Sequence, residues 1–318
     1  MVTFFAKRLG WSVFTVLLAT VLVFSAIQSL PGDAATQLLG QNATPSAVAT
    51  MRQQLGLDEP PVSRFFTWLG KALHGDFGNS LVGGGSVAGE VGSALVNTSL
   101  LAGITIVIGI LLSLVLGLVA GLTRDRWPDI SISTLALVGM SVPEFVVATV
   151  LVLLFSIYIP IFPAVVIAGQ NASLADLLPS VWLPAGALIC VLAAYIIRMM
   201  RTSVIDVMDS EFVRTAILKG NSTSRVVFKH LLPSAMLPTL NVIAMNIAWL
   251  VGGVVVVESI FNYPGIGTLM IRSVQTRDLP TILLITVMSA LTYVVCNLLA
   301  DFAAFLLNPR LRYPRNSK

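Results

Sequence analysis

Charged side chains are scarce in this sequence. Only 11% of its 318 residues are Asp, Glu, Lys or Arg and 56% are hydrophobic, whereas a soluble domain has about 25% charged residues. The net charge of +4 and the pI near 9.3 do not indicate a nucleic-acid-binding protein, because the basic residues lie beside long apolar runs. The composition therefore predicts an integral membrane protein with no nucleic-acid partner.

Side chains that bind metals or perform catalysis are also few. Cys190 and Cys296 lie inside apolar runs, and His74 and His230 stand far from any Glu or Cys at ligand spacing, so neither a disulfide framework nor a metal site is expected. The sequence has no G-x-x-x-x-G-K-[ST] phosphate-binding loop, no catalytic Ser/His/Asp or Cys/His arrangement and no intramembrane-protease motif. We therefore expect a non-catalytic chain without a cofactor of its own.

Six apolar stretches are long enough to cross a bilayer, which takes about 20 helical residues. They cover residues 9–30, 97–122, 131–158, 181–200, 237–257 and 281–306. The first apolar run, from Leu9 to Ile27, exceeds the roughly 7–15 residues of a signal-peptide core, and no convincing cleavage site follows it. We therefore expect a retained anchor and an all-α polytopic membrane protein with six transmembrane helices.

The basic residues predict the orientation of these spans. If both termini are cytoplasmic, the cytoplasmic side holds fourteen of the 19 basic residues: Lys7, Arg8, Arg124, Arg126, Arg198, Arg201, Arg214, Lys219, Arg225, Lys229, Arg310, Arg312, Arg315 and Lys318. The opposite side then holds Arg52, Arg64, Lys71, Arg272 and Arg277. Because cytoplasmic segments are enriched in Lys and Arg, we expect both termini in the cytoplasm.

The spans divide the chain into three predicted regions. Residues 1–30 form the N-terminal tip and first span, 31–96 an extracytoplasmic helical cap, and 97–318 a five-span core with a cytoplasmic loop at 201–236. Within the cap, SAVATMRQQLGL and PVSRFFTWLGKALHGDFG have apolar residues at helical spacing, and VGGGS (82–86) indicates a hinge or tight turn.

The cytoplasmic loop contains a basic insert, EFVRTAILKGNSTSRVVFKHLLP (211–233). From Arg214 to Pro233 it has four Lys or Arg residues and no acid. The pattern predicts a short helix, a left-handed C-terminal cap at Gly220, and a second helix that is capped by Ser224 and stopped by Pro233. An ordinary positive-inside loop would explain the charge alone, whereas the short helix fits a segment that lies on the membrane or docks into a partner.

The spacing in this insert resembles the "EAA" loop of ABC importer permeases, whose pattern is Glu-Ala-Ala, three residues, Gly, nine residues, Ile, any residue, Leu-Pro. Arg214 and Thr215 replace the Glu and the first Ala, and His230 replaces the Ile, as in the "RTA…KG" version of the peptide-importer branch. The resemblance implies a coupling helix that fits a cleft on a cytoplasmic ATPase and involves Arg214, Thr215, Ala216, Lys219, Gly220, Leu232 and Pro233.

Further segments resemble the dipeptide/oligopeptide branch of this family, in the same order along the chain. They are SLPGD (29–33), LGLDEP (55–60), HGDFGNSL (74–81), SVPEF (141–145), VVVVESIFNYPGIG (254–267), RDLP (277–280) and LLNPRLRY (306–313). The resemblance covers nearly the whole chain. It implies the type I ABC importer permease fold and one transmembrane half of an ATP-driven importer for peptides or similar small solutes in a bacterial inner membrane.

The same resemblance implies several partners. They are a second homologous permease subunit, two cytoplasmic ABC ATPase subunits or domains that bind ATP and Mg, and an extracytoplasmic substrate-binding protein. An ion-gradient-driven secondary transporter is the main alternative, and it would usually have inverted repeats and intramembrane ionisable pairs. A membrane-embedded enzyme would require a catalytic constellation, which the sequence lacks.

Two acids are candidates for the translocation path or its gate. Glu144 follows Pro143 within the third span, where a central acid costs about 2.5–3.5 kcal/mol. It either lines the path and attracts a cationic part of the substrate, or lies near the interface and pairs structurally. Glu258 precedes SIFNYPGIG, for which the resemblance implies an outer gate or a contact with a delivering protein, and a plain loop is the alternative. The path or gate candidates are Pro143, Glu144, Phe145, Glu258, Phe261, Pro264, Gly265 and Gly267.

Glycines recur along the second predicted span, at Gly103, Gly109, Gly117 and Gly121. Small residues at this spacing let two helices approach closely within a membrane. The pattern therefore predicts a helix-packing face.

Overall fold

The computed structural model describes residues 2–32, 34–40, 43–169 and 172–307. In these residues it contains helices, and its strand pairing is limited to one isolated bridge between Asn79 and Ser86. The α-helices are α1 (Val2–Ser29), α2 (Ala34–Leu39), α3 (Pro45–Gln54), α4 (Pro61–Leu73), α5 (Val87–Leu122), α6 (Trp127–Ser141), α7 (Glu144–Val152), α8 (Leu174–Leu177), α9 (Trp182–Met208), α10 (Glu211–Leu218), α11 (Thr223–Arg225), α12 (Leu232–Phe261), α13 (Ile266–Thr276) and α14 (Leu279–Leu307). Two π-helical stretches, Leu153–Tyr158 and Val226–Leu231, extend α7 and α11.

Five described helical segments are long and apolar enough to cross a membrane: Gly10–Ser29, Val87–Leu122, Trp182–Met208, Thr223–Ile247 and Leu279–Leu298. Two bent pairs, Trp127–Ser141 with Glu144–Tyr158 and Gly252–Phe261 with Ile266–Thr276, raise the number to as many as seven if each pair is one span. The prediction of an all-α polytopic membrane protein is confirmed, and its six spans fall within this range.

The third predicted span, 131–158, is not one continuous helix. α6 ends at Ser141, α7 begins at Glu144, and the two helices are bent by 110°. Pro143 has no backbone N–H and disfavours helical backbone at Val142, which has a ψ of 127°. The proline therefore interrupts a stretch that hydropathy alone treats as continuous.

The described chain separates into two compact units. The first comprises residues 1–99, 167–174 and 262–294. Its main apolar cluster joins α5, α13 and α14 through Val87, Val91, Ala94, Ile266, Leu269, Leu284 and Ile285. A second cluster joins α1, α4 and α14 through Phe24, Phe65, Leu279 and Leu283. Both clusters anchor the apolar faces of these helices.

The helices α3 and α4 coincide with the two segments of 31–96 that have helical spacing of apolar residues. After α4, the VGGGS segment forms the predicted tight turn. The Ser80 amide donates to the Gly85 carbonyl at 2.9 Å, and the Gly84 amide donates to the Ser80 carbonyl at 3.1 Å. Gly84 has a φ of +65°, which a residue without a Cβ atom adopts at little cost.

The second unit comprises, among the described residues, 100–166, 175–261 and 295–307. Its central element is α9, which is extensively buried and packs against α6, α7 and α12. Met200 and Val204 of α9 form a buried cluster with Leu231 and Ala235. Glycines of α5 also lie directly on α9, as the small-residue pattern predicts: a Cβ atom on Gly117 would be only 2.6 Å from Met200 Cβ. The helix α9 therefore organises this unit.

Candidate functional site

The basic insert 211–233 folds as a helical hairpin with a buried inner side. α10 begins after Ser210 and ends at Leu218, and Val213 and Ala216 from it pack against Val226. Gly220 follows with a φ of +76°, which confirms the predicted left-handed cap. The Asn221 side chain then donates to the Ala216 carbonyl at 2.9 Å and closes the turn. Ala216 is therefore small because the two arms of the hairpin meet there.

Large apolar side chains are exposed on the outer side of this hairpin. Leu218, the last residue of α10, is 87% exposed, and Phe228 is 64% exposed. Phe212 and Ile217 are about half exposed. Several exposed apolar side chains in so short a segment are typical of an interaction surface. The sequence analysis did not predict this apolar surface. The residue that could have indicated it is Leu218, an apolar side chain directly before the Lys219-Gly220 turn.

The polar candidates surround this apolar tip. Arg214 is exposed and approaches Glu211 at 3.5 Å, and the hydroxyl of Thr215 donates to the Glu211 carbonyl at 2.8 Å. Lys219 and Gly220 are exposed at the turn itself. An exposed ion pair of this kind contributes about 0–1 kcal/mol, so Arg214 remains available to a partner.

The second arm differs from its prediction in two details. Its helix begins at Thr223, with Ser222 and not Ser224 at the cap position. Pro233 does not stop it, because the π-helical stretch Val226–Leu231 continues directly into α12. The missing N–H of Pro233 falls at the junction of the two stretches, where the helix changes from π to α geometry. Leu232 packs against the Met200 cluster, and Pro233 is exposed.

The second unit also contains a bidentate ion pair. Arg201 of α9 donates from Nε to Asp129 Oδ1 at 2.5 Å and from Nη2 to Oδ2 at 2.7 Å. Asp129 is buried and also accepts from the Asp125 amide and the Ser133 hydroxyl. Arg201, predicted as an orientation anchor, therefore also fixes the start of α6 to α9.

Glu144 lies in the first turn of α7, directly after Pro143, and is half-buried. Its carboxylate lies over α12, where a Cβ atom on Gly253 would be 3.1 Å from Oε2. The neighbouring Phe145 is 51% exposed and Pro143 is also exposed. These three path candidates therefore share one accessible turn of the bent third span.

The other gate candidates are buried. Glu258 and Phe261 of α12 are both fully buried within the second unit, and the Phe261 carbonyl accepts from the Val166 amide at 2.8 Å. Neither side chain lines a water-accessible surface of this chain. They were predicted as path or gate residues together with Glu144, but the structure does not bring them to the same surface.

Pro264, Gly265 and Gly267 form the predicted break between α12 and α13, which is bent by 78°. They are buried, and the first unit holds this turn tightly against α5. Asn97 Nδ2 donates to the Pro264 carbonyl, the Tyr263 hydroxyl donates to the Asn97 carbonyl, and the Ile266 amide donates to Thr98 Oγ1, each at 2.8 Å. The sequence analysis did not predict the roles of Asn97 and Tyr263, whose hydrogen bonds hold the Pro264-Gly265 turn in one conformation.

Some predicted features lie outside the described residues. They include Asp33 of SLPGD and residues 308–318, with most of LLNPRLRY and the basic residues Arg310, Arg312, Arg315 and Lys318. Among the residues that are described, no group of three His, Cys, Asp or Glu side chains is arranged to hold a metal ion.

Comparisons with known proteins match almost the whole chain. Residues 113–313 match the family model described as "Binding-protein-dependent transport system inner membrane component", and residues 1–98 match the model described as "Binding-prot-dependent transport system membrane comp, N-term". The chain is similar to the glutathione transport system permease protein GsiC of Escherichia coli (strain K12), with 35% identity over 313 residues, 98% of this chain and 100% of the relative. The protein of the same name from Salmonella paratyphi A (strain ATCC 9150 / SARB42) is 36% identical over the same length.

A solved structure is similar as well. The crystal structure of an amino acid ABC transporter with histidines matches with a TM-score of 0.52 and 16% identity, over 68% of this chain and 94% of the other. At this identity the similarity concerns the fold alone.

Proposed function

We propose that this chain, which belongs to the family of binding-protein-dependent transport system inner membrane components, carries glutathione or short peptides. We also propose that it couples to separate ATPase subunits through residues 211–233. The chain is a multi-pass inner-membrane permease subunit of an ABC importer. Its relatives do not support the alternative of an ion-gradient-driven carrier.

The observation that carries the coupling proposal is the exposed apolar tip of the 211–233 hairpin. Leu218 is the most exposed large apolar residue of the hairpin, and it lies at the end of a short helix whose opposite side is buried. Exposing an aliphatic side chain to water is unfavourable by about 1.5–3 kcal/mol relative to burying it. A cleft on an ATPase subunit would bury Leu218 and Phe228 while Arg214 and Lys219 contact its rim.

The distribution of basic residues supports the same proposal. The hairpin contains Arg214, Lys219, Arg225 and Lys229 and connects α9 to α12. Cytoplasmic loops of membrane proteins are enriched in basic residues, so we propose that the hairpin and both termini face the cytoplasm and that α3 and α4 lie on the other side. ATP and Mg would then be bound by partner subunits on the same side as the hairpin.

The cargo proposal rests on the relatives named above as glutathione transport permeases. Glutathione is itself a short peptide with a free amino group, so it belongs to the predicted class of peptides and similar solutes. We propose that this chain forms half of the translocation path with a second homologous permease subunit, and that an extracytoplasmic binding protein delivers the cargo. ATP-driven closure of the two ATPases would move the hairpin and switch the spans between two arrangements.

The coupling proposal is tested by changing the hairpin in the complete importer reconstituted in liposomes. Gly220→Pro cannot keep the φ of +76°, and Leu218→Asp places a charge where an apolar contact is expected. We expect both variants to insert normally and to lose at least about tenfold of the ATP hydrolysis that substrate-loaded binding protein stimulates, since hot-spot contacts contribute about 2 kcal/mol or more.

Ile167→Asp is the matched control, because Ile167 is 94% exposed but lies outside the hairpin. It should leave stimulated hydrolysis close to that of the unaltered complex. Loss of the Leu218 variant from the membrane, or equal effects of the Leu218 and Ile167 variants, would contradict the coupling role.

A further inference from the structure

The carboxylate of Glu144 has no partner among the described residues, at a position where pairing is expected. Within the described part of the chain, neither of its oxygens has a hydrogen-bond or ion-pair partner. The first amides of its own helix do not serve it, because those of Val146 and Val147 both donate to the Pro143 carbonyl, at 3.0 and 3.2 Å. An acid within a membrane-spanning segment normally faces a cavity and pairs with another group. Its partner is therefore to be sought outside the residues that the structure describes, and we look for it in a ligand or in another subunit.

An aromatic ring meets this carboxylate above one glycine of α12. A Cβ atom on Gly253 would lie 3.1 Å from Glu144 Oε2, 3.2 Å from Trp249 Cη2 and 3.4 Å from Trp249 Cζ3. The acid and the indole ring therefore both pack closely against Gly253, which brings the carboxylate and the ring near each other. Trp249 is 42% exposed, so part of the ring remains accessible to a ligand.

The adjacent glycine has no such neighbours. A Cβ atom on Gly252 would meet nothing within 4 Å. Since glycine in a helix interior is less favourable than alanine, each of the two glycines costs helix stability. The contacts explain this cost at Gly253 and not at Gly252.

A carboxylate beside an indole ring is suited to an organic ammonium ion. The carboxylate attracts the positive charge, and the attraction is stronger in a poorly hydrated site than in water. The π-face of tryptophan also attracts an ammonium group that lies within about 6 Å of the ring centre. A carboxylate or phosphate of a ligand would be repelled by Glu144, so the chemistry selects a cationic group.

We propose that Glu144, Trp249 and Gly253 form a subsite for the amino group of the transported molecule, in which Glu144 supplies the charge and Trp249 the aromatic surface, while Gly253 lets both side chains pack closely against α12. The inference rests on the proposed cargo class for its ligand, because glutathione and short peptides both have a free amino group. A basic residue of the second permease subunit is the competing partner of Glu144, and it is an outcome of the test.

The test compares probes with and without this charge in the complete importer reconstituted in liposomes. The probes are glutathione and trialanine, each with its N-acetylated form. The readout is the initial uptake rate of the free-amino probe divided by that of its acetylated form. Because the same binding protein is present in every assay, its own selectivity cancels when variants are compared with the unaltered complex.

We expect Glu144→Gln and Gly253→Ala to lower this ratio by about tenfold or more, a factor that corresponds to about 1.4 kcal/mol. Gly252→Ala is the matched control and should keep the ratio. Trp249→Leu should lower the ratio, whereas Trp249→Phe should retain much of it. The two tryptophan variants also decide the question if Glu144→Gln fails to assemble, because Trp249 is partly exposed and its replacement leaves the carboxylate in place.

The outcomes separate the subsite from the proposed function. If the unaltered complex transports free-amino probes but Glu144→Gln and Gly253→Ala lower the uptake of both forms equally, Glu144 pairs with the second permease subunit and the subsite is refuted. An unchanged ratio in these variants refutes it as well. If the unaltered complex transports none of the four probes, the proposed cargo class fails and the subsite fails with it.

Discussion

Two consecutive residues, Arg277 and Asp278, connect distant parts of the first unit. Asp278 is buried and accepts hydrogen bonds from the Ser80 hydroxyl at 2.6 Å, the Thr281 hydroxyl at 2.7 Å and the Leu81 amide at 3.1 Å. Arg277 has a φ of 58° and donates to the carbonyls of residues 30, 31 and 32. The RDLP motif therefore holds the end of α1 and the turn after α4 against the start of α14.

Asp278→Ala should destabilise the protein. The change leaves three buried donors without an acceptor, and each such donor costs about 1–3 kcal/mol. We expect a clearly lower midpoint of thermal unfolding, measured on the purified complex by the loss of its size-exclusion peak after heating. Asp278→Asn should recover part of the loss, because it keeps one acceptor oxygen.

The control for this change is Asp58→Ala. Asp58 pairs with Arg52 at 3.2 Å, but both side chains are exposed, so the pair contributes about 0–1 kcal/mol. Equal midpoints for the Asp278 and Asp58 variants would show that the buried network does not stabilise the first unit.

Among the helices, α5 and α9 show how small residues position the core of the second unit. A Cβ atom on Gly117 would be 2.9 Å from the Ile197 carbonyl oxygen, and one on Gly121 would be 2.5 Å from Val204 Cγ1. Gly109 similarly faces Leu192 at 2.8 Å. The side chains of α9 therefore occupy the space that larger residues on α5 would need, as expected for closely packed membrane helices.

Gly117→Ala should destabilise the complex by about 1–3 kcal/mol, because the added methyl group overpacks the contact with Met200. Gly103→Ala on the same helix has open space within 4 Å and should be neutral or slightly stabilising. Resistance to detergent-induced dissociation at rising temperature measures both variants. A Gly103 variant as unstable as the Gly117 variant would contradict the packing role assigned to Gly117.

Sequence patterns predicted these elements where the signal was local. The glycine face was predicted from spacing and is confirmed at Gly109, Gly117 and Gly121, whereas Gly103 has no contact that requires it. The left-handed turn at Gly220 was predicted from residue type, because few residues adopt a positive φ. The bend at Pro143 was not predicted, because the average hydropathy of a window of residues does not depend on whether one of them lacks a backbone N–H.

Contacts between residues far apart in sequence were not accessible in the same way. The pairing of Asp129 with Arg201 and of Asn97 with Tyr263 depends on how α6 meets α9 and how α5 meets the turn before α13. Glu258 was predicted as a gate residue from its place before SIFNYPGIG, but its burial is set by tertiary packing. The proximity of Glu144 and Trp249 likewise required the structure, because more than 100 residues separate them.

At the scale of the whole molecule, the hairpin 211–233 and the bent third span have different proposed tasks. We propose that the buried helix α9 and the Asp129–Arg201 pair give the hairpin 211–233 a fixed base, through which a force on Leu218 reaches the spans. The bent third span would present Glu144 to the cargo. The proposed partners for these tasks are an ATPase at the exposed apolar side chains of the hairpin and a second permease subunit along the path.

If the hairpin 211–233 docks into a separate ATPase, that ATPase should remain bound when the chain is purified. The tagged chain is purified in mild detergent from its native membrane, and the proteins that accompany it are identified and quantified by mass spectrometry. We predict two ATPase subunits or domains with phosphate-binding loops and a second permease subunit in stoichiometric amounts, and loss of the ATPases from a Leu218→Asp preparation. A chain that emerges from several detergents with no nucleotide-binding partner would contradict the account.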